Sequence, residues 1–487
     1  MVGVCCILMV SLLGANLMAQ NPLIRDQFSA DPTARVFGDR VYVYPSHDIL
    51  ATPGHGQEGW FCMEDYHVFS SMNLTEWKDH GVILSQYTVP WVDSSSYSMW
   101  APDCVFKDGK YYFYFPAKKR QAEKGSSKAD AAIQNGGVDF GIGVAISDKP
   151  YGPFKPLSQP IAGVHGIDPN VFIDRDGQAY LYWAEGDIFV AKLKPNMVEL
   201  AGKPMIIQHL PANGLKEGPF MFERKGTYYL TFPHVADKTE RLEYAVSDNP
   251  MGPFVLKGVI MEATPDCWTN HQSILPYHGQ WYLFYHHNDY SPGFDKARSI
   301  CADSLSFNED GSIKEVHPTL RGVGITKAGS LIQVDRYSAI SKSGAKISFL
   351  DTADTFKGWE VTLTRPQSFV QYNTVDFGQG IKNTIDNSKN GIQPKGKSSF
   401  SAKSQNHNKH GKSWQTLLAR INTPAGGDLL IHLDNLNSVP IAKISCSKTN
   451  GWTVIKAQIS RDIKGLHNIY VTKQGTGTIH LDWIKFE

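Results

Sequence analysis

A chain of 487 residues exceeds what one hydrophobic core usually serves, so more than one domain is expected. Its 48 Lys and Arg against 47 Asp and Glu give a formal net charge of +1, which excludes the strong basic field of a nucleic-acid-binding protein. Polar and apolar residues are balanced as in an ordinary folded chain, and no stretch reads as a structural membrane helix.

The first segment, Val2 to Ala19, is mostly apolar and ends in Leu17-Met18-Ala19, which predicts a secretory signal peptide over residues 1–19. It departs from the usual pattern in lacking a Lys or Arg near Met1. A lipid anchor on Cys5 or Cys6 is disfavoured, because little apolar sequence precedes them. A secreted or periplasmic protein acting as a monomer is expected. The other cysteines, Cys62, Cys104, Cys267, Cys301 and Cys446, are odd in number and scattered, so buried free thiols are expected and no disulfide framework.

From residue 20 one pattern recurs five times: Asp31 to Tyr44, Asp103 to Tyr114, Asp168 to Tyr182, Glu217 to Leu230, and His271 to Tyr285. Each copy is a short apolar strand, a turn carrying Gly, and an aromatic second strand, the pattern of a β-hairpin. The copies open at residues 31, 103, 168, 217 and 271, spacings near the roughly 40–50 residues of a propeller blade plus insertions. A second repeat, Ser147-Asp-Lys-Pro-Tyr-Gly-Pro-Phe154 and Ser247-Asp-Asn-Pro-Met-Gly-Pro-Phe254, with Ser70 to Trp77 in the matching place of the first copy, marks the turn into an outer strand. An all-β fold follows, with a five-bladed β-propeller over residues 20–326.

After Thr326 the rhythm stops. Residues 328–487 read as a separate β-sandwich of jelly-roll type, with Asn383 to Gly411, rich in Ser, Asn, Lys and Gly, as a loop.

A propeller gathers the openings of its innermost strands at one mouth, so Asp31, Asp103, Asp168, Glu217 and His271 should converge. One Asp-Pro alone would read as a turn cap. Three acids at aligned positions in different blades instead suit glycoside hydrolysis, which needs one carboxyl to protonate the leaving oxygen and another to activate water. A third would raise the acid's pKa by like-charge repulsion.

Ala30-Asp31-Pro32, Met99-Trp100-Ala101-Pro102-Asp103, Gly166-Ile167-Asp168-Pro169, Lys216-Glu217-Gly218-Pro219, and Arg298-Ser299 followed by Asp310-Gly311-Ser312-Ile313 together resemble glycoside hydrolase family 43, over about Asn21 to Thr326. The resemblance implies a five-bladed propeller and an inverting mechanism, with Asp31 as general base, Glu217 as general acid and Asp168 tuning and orienting the acid. It also implies that Arg298 contacts the sugar and the acidic cluster, and that Trp100 lines the sugar pocket. Asp103 is assigned to the pocket lining or to structure. His271 is axial, either as a hydrogen-bonded structural residue that faces the substrate or as a calcium ligand beside waters in the channel. His47-Asp48 and Glu64 to His67 are placed on the rim, with Asp48 or Asp65 near the sugar.

The tail resembles carbohydrate-binding module family 6 through Leu331 to Tyr337, Val375 to Gly378, Gly426 to Asp434, Gly451-Trp452 and Leu481 to Ile484. That resemblance implies a calcium held by Gln333, Asp335 and Asp482, beside the alternative of ordinary strand-end acids. Trp414 is the candidate stacking aromatic, while Trp452 and Trp483 are assigned to the core. The reading is an α-L-arabinofuranosidase that removes arabinose from arabinoxylan, with β-xylosidase as the alternative and a non-catalytic carbohydrate-binding propeller as the reading from another class.

Overall fold

The structure is a computed structural model that describes residues 21–120, 139–264, 266–378 and 414–487. The expected signal peptide with Cys5 and Cys6, and the expected loop from Asn383 to Gly411, lie outside the described residues.

Nineteen strands form five antiparallel meanders taken in chain order. The first holds β1 (Ala30–Phe37), β2 (Arg40–Ser46), β3 (Asp65–Ser71) and β4 (Lys78–Ser85); the second holds β5 (Asp103–Lys107), β6 (Lys110–Lys118), β7 (Phe140–Ser147) and β8 (Lys155–Pro156). The third contains β9 (Ile167–Ile173), β10 (Ala179–Glu185), β11 (Asp187–Lys192) and β12 (Met205–Ile206). The fourth contains β13 (Phe220–Arg224), β14 (Thr227–Val235), β15 (Glu240–Ser247) and β16 (Val255–Met261), and the fifth has three strands, β17 (Ser273–Tyr277), β18 (Gln280–His287) and β19 (Ser299–Leu305).

Each repeated sequence copy is the hairpin of the first two strands of one meander. Three of these hairpins turn on two residues, Asp108-Gly109, Lys225-Gly226 and His278-Gly279, with φ of 49 and 80, 53 and 86, and 47 and 80°. Two successive positive φ values are the tight hairpin turn that matches strand twist, and glycine at the second position adopts them without a Cβ penalty.

The first strands of adjacent meanders contact one another around a closed circuit, β1 to β5, β9, β13, β17 and back to β1, which is the arrangement of a five-bladed propeller. The three-stranded blade leaves the edge of β19 bare, and the chain start covers it. Leu23 N–H donates to Ile300 O at 2.8 Å and Ser29 N–H to Arg298 O at 2.8 Å. Asn21 adds Nδ2 to Ala302 O at 3.0 Å and accepts the Ala302 N–H at 2.8 Å. This removes an unpaired strand edge and joins the last blade to the first.

The core lies between blades and is heavily aromatic: Tyr44, Tyr66, Phe113 and Phe115 fill the space between the first two, and Tyr182, Phe232 and Phe254 between the third and fourth. Cys62, Cys104, Cys267, Cys301 and Cys446 are all buried and free, as expected.

The chain divides into two compact units: the described part of Met1–Gly324 with Asp351–Gly358, and Ile325–Leu350 with Trp359–Glu487. The sequence reading had placed 351–358 in the tail. Within the first unit, Phe356 packs on Phe28 and Tyr290 at ring separations of 4.8 and 5.2 Å.

The second unit consists of two six-stranded sheets. One contains β20 (Thr326–Lys327), β22 (Ala339–Ile340), β25 (Phe369–Asp376), β27 (Gly427–Leu433), β28 (Ala442–Cys446) and β30 (Leu466–Gln474). The other contains β21 (Ile332–Gln333), β23 (Ala345–Phe349), β24 (Trp359–Leu363), β26 (Thr416–Asn422), β29 (Thr453–Gln458) and β31 (Ile479–Phe486). Two aromatic assignments change places here. Trp414, read as a sugar-stacking ring, is only 8% exposed, lies edge-on to Phe377, and donates its indole N–H to Phe377 O at 2.8 Å. Trp452 and Trp483, assigned to the core, are half-buried, and the Arg420 guanidinium lies 5.0 Å above the Trp452 ring. An unbroken apolar pattern does not reveal which strand face meets water.

Candidate active site

Two of the three predicted acids sit on strained backbone. Asp31 in β1 and Asp168 in β9 have φ of 48 and 57°, each before a proline, and Glu217 precedes Gly218 at φ 49°. A Cβ at Gly218 would meet Pro233 Cγ at 2.8 Å and His271 Nδ1 at 3.1 Å, so only glycine fits that turn. Such left-handed residues cost on the order of 1–3 kcal/mol each and persist where the surroundings fix them, most often at functional sites.

Asp31 is enclosed by donors. Arg298 reaches it with both terminal nitrogens, at 2.9 and 3.2 Å, and Ser46 Oγ donates at 2.6 Å. Arg298 is itself gripped by Asp48, which accepts from Nε at 2.9 Å, from Nη2 at 3.0 Å and from the Arg298 backbone N–H at 2.9 Å. His286 Nδ1 accepts the Asp31 backbone N–H at 3.1 Å, so its Nε2 carries the proton given to Thr269 O at 3.0 Å. Burial and the Arg298 charge keep His286 neutral, far below its ordinary pKa. Burial alone would raise the Asp31 pKa, but the Arg298 charge, helped by the Ser46 hydroxyl, outweighs it and lowers the value to about 2. Asp31 is therefore held as an anion well into the acid range.

The other carboxyls face the opposite condition. Asp168 accepts the Gly218 N–H at 2.9 Å, which ties the base of β9 to the peptide that follows Glu217. Burial, then the neighbouring Glu217 carboxyl, pushes the Asp168 pKa up to about 7. Burial and the Asp31 charge also raise Glu217. Here no guanidinium grips a carboxylate, so the protonated forms are favoured. The arrangement can therefore supply a base and an acid at the same pH.

The acids line one cavity of about 140 Å³ with Trp60, Phe61, Met63, Trp100, Trp268, His271 and Arg298. Its walls are aromatic: Phe61 and Trp268 stack at 5.9 Å, and Trp100 packs 4.7 Å from Phe140. Flat apolar rings beside carboxyls suit the faces and hydroxyls of a sugar. Trp100, His271 and Arg298 line the same cavity as the acids, with His271 Nδ1 3.9 Å from Asp31 Oδ1.

Asp103 requires a correction. It is completely buried and does not line the cavity, because Arg35 at 2.6 and 2.7 Å, the Val171 N–H at 2.6 Å, the Cys104 N–H at 2.7 Å and Asn170 Nδ2 at 3.1 Å occupy its oxygens. It fastens the second blade to the first and third. Of the two rim candidates, Asp48 braces Arg298, and Asp65 instead pairs with His47 at 2.7 Å. Sequence reasoning missed Ser46, His286, Trp60, Phe61, Trp268 and a further buried carboxyl, Glu240. They lie on second and third strands and on loops, outside the repeated hairpin openings that supplied the signal.

His271 offers one nitrogen to a metal. Beside it, both Asp31 oxygens accept from Arg298, and Asp168 Oδ2 accepts the Gly218 N–H. A calcium in the channel would take His271 as one ligand and complete its six to eight positions with waters. In the second unit, Gln333 pairs with Trp483 beside Asp482, and Asp335 follows in a short 3-10 helix, Val334–Arg336, fully buried. Asp482 accepts from Arg420. Gln333, Asp335 and Asp482 offer the carboxylate and amide oxygens that a hard cation prefers.

The sequence matches "Glycosyl hydrolases family 43" over residues 19–313. It is 36% identical over 346 residues to a xylosidase/arabinosidase of Humicola insolens, covering 61% of this chain and 99% of that one. An arabinoxylan arabinofuranohydrolase of Bacillus subtilis is 27% identical over 532 aligned residues, covering 95% of this chain and 90% of the relative. Among solved structures, a β-xylosidase/α-arabinofuranosidase from a compost metagenome, in complex with xylotriose, superposes with a TM-score of 0.52 at 35% identity, over 61% of this chain and 97% of that one.

Proposed function

The chain belongs to glycosyl hydrolases family 43 and is a glycosidase, and from that premise we propose that it is an inverting exo-acting enzyme on arabinoxylan that removes α-L-arabinofuranose side groups. One observation carries the mechanism: within one cavity Asp31 is held ionised while Glu217 is pushed toward its protonated form. Asp31 takes a proton from a water as the water oxygen attacks the anomeric carbon, and Glu217 gives its proton to the glycosidic oxygen as that bond breaks. Asp168, bonded to the Gly218 N–H, orients the acid and repels its charge. Arg298 and the aromatic walls seat the sugar.

The substrate rests on the relatives. Coverage of nearly the whole chain by an arabinoxylan arabinofuranohydrolase favours arabinose; higher identity to proteins named xylosidase/arabinosidase keeps β-xylosidase as the second reading. A non-catalytic sugar-binding propeller would leave the opposed protonation of the two acids without a purpose. The second unit acts as a jelly-roll carbohydrate-binding module of family 6 type, with a calcium held by Gln333, Asp335 and Asp482. The protein is secreted or periplasmic and works as a monomer.

The nitrophenyl glycosides of α-L-arabinofuranose and β-D-xylopyranose, assayed side by side, test this reading, with the arabinofuranoside expected to be cleaved faster. Faster xyloside cleavage would select the second reading, and no cleavage of either would defeat both. Proton NMR of the first-formed sugar should show the inverted anomer.

A further inference from the structure

Glu240 opens β15 and is 1% exposed, a carboxyl taken out of water with no cation paired to it. Its Oε2 accepts the Asn270 N–H at 2.6 Å. Its Oε1 is also buried, and no N–H or O–H of another residue points at it. What meets Glu240 instead is the carboxyl of Glu217, in hydrogen-bonding contact. Two carboxyl oxygens make a hydrogen bond only if one of them carries a proton. Because the backbone N–H fixes Oε2 as an acceptor, a proton on Glu240 belongs on Oε1.

The charges around the pair favour this placement. Asp168 and Asp31 add negative charge from the third and first blades, and Arg298 is directed to Asp31 and Asp48. His271 acts on Asp168 and Asp31, and His286 on Asp31. Lys216 turns its Nζ to Gly214 O at 3.1 Å, and Arg241 and His234 both engage Glu243. Among the described residues, no cation is left for Glu240. Burial and the Glu217 charge accordingly raise its pKa far above the carboxylate range.

The geometry points to Glu240 as a positioning residue that stays a neutral carboxylic acid and donates from Oε1 to Glu217, steadying the carboxylate that Glu217 becomes when it protonates the glycosidic oxygen. This rests on the reading of Glu217 as the general acid. In the reaction the Glu217 proton moves to the leaving oxygen, and the Glu240 proton stays on Glu240. Asp168 and Glu240 then act in opposite senses. A nearby negative charge raises the acid's pKa, and a neutral donor lowers it.

The test is the basic limb of the pH profile of kcat/KM in Glu240→Leu and Glu240→Gln. Leucine cannot donate, so the limb should move upward by about one pH unit, the size expected for one lost hydrogen bond to a carboxylate. Glutamine can donate, so its limb should return to the wild-type position. A downward shift in Glu240→Gln would mean that a negative charge was removed and would overturn the proposal, as would a wild-type limb in both variants. Infrared difference spectra of wild type against Glu240→Gln at pH 8 provide a readout that needs no catalysis. A carboxylic-acid C=O band lost in the variant is expected, and its absence from the wild type refutes the neutral Glu240 even if Glu240→Leu does not fold. If neither glycoside is cleaved but the band is present, the functional reading fails and the protonation of Glu240 stands.

Discussion

Asp31 and Glu217 share one cavity, yet the two sides of that cavity treat a carboxyl in opposite ways. On the Asp31 side a guanidinium, a hydroxyl and a neutral histidine surround one carboxylate, and a second carboxylate, Asp48, anchors the guanidinium. On the Glu217 side three carboxyls crowd together, and their fixed donors are the backbone N–H groups of Gly218 and Asn270. The difference teaches that acid and base are assigned here by neighbours and not by residue type.

The largest break in this comparison is the loss of its anionic side. Asp31→Asn should lower kcat by roughly 10²–10⁴-fold on good and poor leaving groups alike, since nothing else takes the proton of water. Glu217→Gln should fall as far on polysaccharide but less on nitrophenyl glycosides, whose leaving group needs little protonation. Comparing the two substrates in both variants checks the assignment.

Removing Arg298 exchanges one environment for the other. In Arg298→Met burial acts on Asp31 without its counter-charge, so the Asp31 pKa rises and the acid limb of kcat/KM moves to higher pH. Breaking the buried pairs to Asp31 and Asp48 should also destabilise the fold by about 3–5 kcal/mol, measurable by denaturant titration.

The smallest effect comes from relieving the crowded side. Asp168→Asn should shift the basic limb downward, because a negative charge near Glu217 is lost. The folded-state pKa of Asp168 is raised to about 7, so its contribution to stability is present below its unfolded value and is lost as pH rises toward 7. The Tm of Asp168→Asn relative to wild type should therefore improve between pH 4 and pH 8. Thermal scans at the two pH values would show a gain of roughly 2–4 °C for each kcal/mol of relieved repulsion.

What the sequence made legible was whatever repeats. Five hairpin copies carried the propeller, and their first residues carried Asp31, Asp168, Glu217 and His271 to the cavity, because a ring of equivalent strands brings equivalent positions together. The same logic misplaced Asp103, which opens its copy in register with the others but has Arg35 within reach to neutralise it. Glu240 and His286 were illegible because their importance comes from contacts across blades, which leave no spacing in the chain. Trp414 and Trp452 were exchanged because an indole just before a strand looks alike in sequence whether it turns to the core or to water.

The pH profile of kcat/KM for the wild-type enzyme tests the central claim most directly, since it reports the free enzyme's essential base and acid. The opposed environments predict a broad bell whose acid limb lies below the ordinary Asp range of about 3.9 and whose basic limb lies well above the ordinary Glu value of about 4.3. A narrow profile falling away near those ordinary values on both sides would contradict it, because the two carboxyls would then be titrating as though the cavity did not distinguish them.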